Sequence, residues 1–156
     1  MIDYQFNGIP LHVLLVHLVV IVVPLAALCL LLSAFWPTAR RRLGFVTPLV
    51  ALVALVAVPF AVAAGEWLKA RVAPTPLIES HTTMAPSLLG WVIAVFGVAG
   101  AQWLWYSLAP PVPPRLRLTA AIVIDSAALV TAVGSVVTVV LVGESGSAAV
   151  WTGSFG

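Results

Sequence analysis

LHVLLVHLVVIVVPLAALCLLLSAFW, residues 11–36, decides the fold: across 26 positions it carries no Asp, Glu, Lys or Arg, and its polar groups are His12, His17, Cys29 and Ser33. At 1.5 Å per residue a helix of this length reaches about 39 Å, enough to cross the hydrocarbon of a bilayer with some tilt. Three further apolar runs follow, Phe45–Trp67, about Ala85–Tyr106, and Leu118–Val142. Each meets the length of about 20 residues that a spanning helix needs. The expected fold is therefore all-α, a polytopic membrane protein built as a four-transmembrane-helix bundle (helices about 11–36, 45–67, 85–106 and 118–142). Residues 1–156 then form a single membrane domain.

Composition agrees, with 62% of the 156 residues hydrophobic and 8% charged. A water-soluble domain of this size needs far more charge on its surface. The net charge of +2 rests on seven basic residues scattered through loops, a poor footprint for nucleic acid. Cys29 is the single cysteine, so intrachain disulfides are excluded and its mid-span place suits a small packing residue. The first ten residues, MIDYQFNGIP, hold no Lys or Arg, so the basic region of a cleavable signal is missing and the first span is expected to stay.

Arg40, Arg41, Arg42, Arg115 and Arg117 fall in the loops after the first and third spans, against Lys69 and Arg71 at the opposite ends. By the positive-inside rule this predicts both termini on the non-cytoplasmic side, N-out and C-out. Tyr4, Phe6, Trp36, Phe45, Trp67, Trp103, Trp105, Tyr106 and Trp151 fall at expected interfaces, and Trp91 alone among the tryptophans lies well inside a span. Pro24 and Pro59 sit within spans, where a proline removes a donor and bends a helix. The connection APPVPPR, residues 109–115, reads as a stiff extended strap. Small residues repeat at Ala57/Ala61/Gly65, Gly90/Ala94, Gly97/Ala101 and Ala128/Ala132, faces expected to bring the helices into close contact without a pore.

Polar groups that can carry chemistry collect at the expected outer mouth: His12, His17, Glu66, Glu79, His81 and Glu144. Imidazole and carboxylate are metal-ligand chemistry. His12 and His17 are about 140° apart around a helix, so one ion is not easily reached by both. A haem needs two axial histidines at similar depth on facing helices. The pairing of His17 with His81 requires the third helix to start early, at Pro76 behind a Thr75 cap. His17, His81 and His12 are thus candidate cofactor ligands, and His12, His81 and Glu66 candidate metal ligands. The plainer reading makes His12 an anchor, His17 a hydrogen-bonded bundle residue, and the carboxylates wet.

Asp125 lies about 10 Å into the fourth span. A charge at the bilayer centre costs about 2.5–3.5 kcal/mol, so it should be neutral or face inward with a partner. Gln102, Ser33 and Thr47 share its half of the bundle, and a structural lock of Asp125 with Gln102 first is expected. Interhelical hydrogen bonds in lipid average about 0.6 kcal/mol, so such a lock sets register more than stability. A proton relay would need further ionisable groups between Asp125 and the mouth. Thr131, Ser135 and Thr138 form a hydroxyl stripe along the fourth span. Paired carboxylates, a nucleophile elbow, a phosphate loop and a cysteine cluster are missing, so the chain is not expected to be an enzyme.

With PLHVLLVH (10–17), AAGEWL (63–68), ESH (79–81) and LVGESG (141–146), the chain resembles an uncharacterised family of four-helix bacterial integral membrane proteins, catalogued as a domain of unknown function. The resemblance implies the four-helix fold, and histidines in the first span with an acidic residue closing the second, here His12, His17 and Glu66. A haem or redox role has been suggested for such proteins. Arg outnumbers Lys six to one, as in a GC-rich bacterial genome. The function expected first is a non-catalytic accessory subunit of a larger, respiratory membrane complex in a bacterial plasma membrane. Its partners would be lipid and other integral subunits, met in part by Trp151 and Phe155, and it would need no cofactor. The alternative is a small haem- or metal-binding redox protein, taking haem b or a metal ion on His12, His17, His81 and Glu66.

Overall fold

A computed structural model describes residues 4–108 and 111–152. Two short strands, β1 (Gln5–Phe6) and β2 (Ile9–Pro10), precede the helices α1 (Leu11–Phe35), α2 (Pro37–Leu43), α3 (Val46–Lys69), α4 (Pro76–Met84), α5 (Ser87–Leu108) and α6 (Pro114–Trp151). Four segments are long and apolar enough to cross a membrane: α1, α3, α4 with α5, and α6. The four-helix membrane fold is therefore the observed one. Neighbouring helices run α1–α3–α5–α6 and back to α1, an up-down-up-down ring.

The bundle has a polar end of histidines and a polar end of arginines, with an Ala/Val core between. Ala26, Leu30, Ala51, Ala54 and Ala128 are fully buried along its axis. Small side chains there let backbones approach, which matters where lipid removes the hydrophobic drive for helices to associate. Both α1 and α3 run unbroken through Pro24 and Pro59.

Three boundaries differ from the sequence expectation. The third span is two helices, because Pro86 lacks an amide hydrogen and its ring crowds the carbonyl four residues back, so α4 stops and α5 restarts at Ser87. The start of α4 does fall at Pro76, and Thr75 Oγ1 accepts from the Ile78 amide at 3.2 Å. At the other extreme α6 continues nine residues past Val142 to Trp151, about 57 Å in all, with its last turns packed on α4. Of the expected strap, Ala109 and Pro110 lie outside the described residues, as does Phe155, while Pro114 and Arg115 already belong to α6.

One small-residue face points the wrong way for the expected role. Ala57, Ala61, Ala128 and Ala132 are buried between helices, but Gly90, Gly97 and Ala101 are exposed. The buried face of α5 is instead Leu88, Val92, Val95, Ala99 and Gln102. Gln102 bonds Asp125 of α6, and that polar contact turns the glycines outward.

Candidate functional site

The histidine end is built from four helices. Beneath it the turn Asn7–Gly8, with φ of 50° and 79°, closes the β1–β2 hairpin as an asparagine–glycine turn does. Tyr4 lies against Trp67 with ring centres 6.5 Å apart, and the Arg71 guanidinium stacks on the same indole at 3.7 Å. Lys69 pairs with Glu79 at 3.1 Å and donates to Thr82 Oγ1 at 3.0 Å, tying the end of α3 to α4.

These elements place His12 of α1 and His81 of α4 side by side, ring centres 6.3 Å apart and planes at 70°. Both rings are half-buried. His12 Nδ1 lies 2.9 Å from the Ala61 carbonyl, which can only accept, so Nδ1 carries the hydrogen. His81 Nδ1 lies 3.0 Å from Ser145 Oγ. That hydroxyl spends its own hydrogen on the Val142 carbonyl at 2.8 Å, so it too accepts from the ring. In their neutral forms both imidazoles therefore keep the Nε2 lone pair. A carbonyl or hydroxyl that fixes Nδ1–H holds the ring in the tautomer able to ligate through Nε2.

Each ring is seated on a glycine. A Cβ at Gly65 would lie 3.1 Å from His12 Cε1, and one at Gly146 would lie 3.0 Å from His81 Cε1. Either is tighter than ordinary packing allows, so the two glycines make room for the two imidazoles. Sequence reasoning missed Ser145 and Gly146 because it ended the fourth helix at Val142. The signal was the GESG segment itself.

The other candidates are elsewhere. His17 is exposed on the outer face of α1 and bonds its own helix at Val13 O, 2.6 Å away. Its partner in the expected haem pairing, His81, sits with His12 instead, as the 140° separation around α1 requires. Glu66 and Glu144 are exposed. Among the described residues no three of His, Cys, Asp or Glu come together as a metal-holding group, so Glu66 does not join the pair.

At the arginine end, Gln102 Nε2 lies 3.3 Å from Asp125 Oδ1 and Tyr106 Oη donates to Asp125 Oδ2 at 3.1 Å. Ser33 and Thr47 are hydrogen-bonded to one another at 3.0 Å rather than to the carboxyl. Arg40 reaches back from α2 to the Ser33 and Ala34 carbonyls, capping the last turn of α1, and its guanidinium stacks on Tyr106 at 3.5 Å. Tyr106 and Arg40 were legible only as interface and loop residues.

Residues 8–156 match the model of a family described as a predicted membrane protein, DUF2231. No curated protein and no solved structure matches the chain.

Proposed function

The chain belongs to the DUF2231 family of membrane proteins, and from that footing we propose that it is a small redox protein whose His12 and His81 ligate a haem iron at one end of the bundle. The supporting observation is the pair itself, two imidazoles with Nδ1 engaged and Nε2 free, ring centres 6.3 Å apart. Structural zinc wants four protein ligands and catalytic zinc three. A haem would bring four nitrogens of its own to the iron and need only one or two from the protein, a demand that a histidine pair could meet. Bound iron would supply one-electron chemistry, and His12 and His81 would hold it through Nε2 with their Nδ1 hydrogens fixed by the Ala61 carbonyl and the Ser145 hydroxyl.

The test is an absorption spectrum, with metal analysis, of the full chain purified in mild detergent. A Soret band is expected, lost in His12→Ala and in His81→Ala and kept in His17→Ala. A wild-type protein with neither a Soret band nor stoichiometric transition metal overturns the reading. Stoichiometric metal without a Soret band replaces the haem by a bare ion.

The second reading is the accessory subunit of a larger membrane complex, respiratory in a bacterial plasma membrane, and the outward face of α5 favours it. A Cβ added at Gly90 or Gly97 meets nothing within 4 Å, which leaves a small-residue face free for a partner helix. Co-purification of other integral subunits is expected, and a chain that runs alone as a monomer sinks this reading.

A further inference from the structure

A cavity of about 180 Å³ opens at the arginine end, far from the histidine pair. Its wall includes Arg40, Arg41, Thr47, Gln102, Tyr106 and Ser107, with Trp103 beside them. Arg40 spends Nε and Nη2 on the α1 carbonyls and lies over Tyr106, whereas among the described residues Arg41 has no partner. Gln102 Nε2 and Tyr106 Oη both serve Asp125, so that carboxyl is answered from within the bundle rather than by the two guanidinium groups. Among the described residues the cavity wall therefore carries two cations and no carboxylate, with Asp125 one hydrogen bond behind Gln102 and Tyr106. The start of α3, with no side-chain cap on its first turn, adds the positive end of a helix dipole at the same wall.

We propose that this cavity binds the phosphate of an anionic phospholipid. Arginine is the side chain matched to phosphate oxygens, because its planar fork donates in pairs. At about 30 Å³ per water the volume equals roughly six waters, which suits a phosphate with the first atoms of its glycerol and not a whole nucleotide. The position selects the source. The cavity lies where α1, α3 and α5 end, with the exposed Trp103 in its wall and the exposed Trp36 and Phe45 at the adjoining ends of α1 and α3, aromatics of the kind that settle at head-group depth. A phosphate held there is one the bilayer presents, and basic pockets between membrane helices are a recognised lipid-binding arrangement.

The experiment counts lipids retained on the full chain by native mass spectrometry from mild detergent, titrated with phosphatidylglycerol, phosphatidylcholine or inorganic phosphate. One phosphatidylglycerol should be retained selectively. Arg41→Gln should weaken it about fivefold or more, while Arg42→Gln, which removes the same charge from a neighbour outside the cavity wall, changes it less than about twofold. Ser107→Trp fills the cavity with no change of charge and should abolish retention. Equal losses in Arg41→Gln and Arg42→Gln would reduce the effect to diffuse attraction and overturn the site. Equal retention of phosphatidylcholine, or undiminished binding to Ser107→Trp, overturns it as well. Displacement of the lipid by millimolar inorganic phosphate that itself binds overturns the lipid as the source. An unchanged thermal unfolding profile for Arg41→Gln, whose side chain is exposed, shows that the loss is not misfolding.

Discussion

Gly134→Ala is the sharpest test of the packing, because it adds one methyl at a place where the bundle has none to spare. Gly134 of α6 lies directly under Trp91 of α5. A Cβ there would stand 2.2 Å from Trp91 Cζ3, 2.3 Å from Cη2 and 2.6 Å from Cε3. Ordinary contact begins near 3.4 Å. The indole must therefore retreat by more than about 1 Å, and a rigid bicyclic ring cannot do so by bending its tip. Overpacking of this kind costs about 1–3 kcal/mol. Helix propensity works in the opposite direction, since alanine exceeds glycine by about 0.8–1.0 kcal/mol in a helix interior. The expected net loss is thus about 0–2 kcal/mol, and the loss relative to a glycine-to-alanine change in open space is the full 1–3 kcal/mol or so. Reversible unfolding in mild detergent, followed by tryptophan fluorescence and near-ultraviolet circular dichroism, measures it. Gly143→Ala in the same helix, where a Cβ meets nothing within 4 Å, isolates the propensity and should be neutral or stabilising. Trp91→Leu should absorb the clash, so the double variant must be at least about 1 kcal/mol more stable than the sum of the single losses predicts. A Gly134→Ala protein as stable as Gly143→Ala, with strictly additive double-variant energies, would refute the contact.

Two further outcomes follow from the arginine end. Tyr106→Phe deletes the hydroxyl that reaches Asp125 but keeps the ring under Arg40, so unfolding should show a loss near the membrane average of about 0.6 kcal/mol. A loss above about 2 kcal/mol would make the phenol a central support instead. Gly44, between α2 and α3, holds φ 46° and ψ −122°. A Cβ there meets no atom within 4 Å, so Gly44→Ala isolates backbone strain, expected at about 1–3 kcal/mol by the same unfolding measurement. An unchanged midpoint would contradict that backbone geometry.

How far the sequence reads depends on which physical signal each feature leaves. The four spans are visible because a bilayer demands about 20 apolar residues at a stretch, and the runs opening at Leu11, Phe45, Ala85 and Leu118 supply them. The meeting of Gln102 with Asp125 is visible because two amide and carboxyl groups in the same half of a lipid-covered bundle have few other partners. The histidine pair is not. Hydropathy ends the fourth helix at Val142, yet α6 persists because its last turns lie on α4, a tertiary contact with no local signature. Hence Ser145 and Gly146, which seat His81, fall outside any helix that sequence alone would draw. Likewise Gly90 and Gly97 announce a small-residue face without saying which way it points. That direction is set from the far side of α5, by Gln102.

The two polar ends also bear on what kind of chemistry the bundle can host. Between them the buried hydroxyls of α6 are Thr131 and Ser135. Thr131 Oγ1 donates to the Ala127 carbonyl at 2.8 Å, and Ser135 Oγ to the Ala132 carbonyl at 2.9 Å. Both hydrogens are thus spent inside their own helix, the usual fate of such residues in a lipid-facing bundle. A proton wire needs groups that can hand a hydrogen to a neighbour, and among the described residues the ionisable side chains of α1 between the two ends are His17, which is exposed and bonds its own helix, and the lone buried thiol Cys29. Ionic or protonic traffic along the axis would have to break one of these local bonds in a core of buried alanines and valines. Electron transfer at one end makes no such demand, because it needs a seated metal and no path for atoms. A core of this kind is therefore compatible with the proposed redox site at the histidine end.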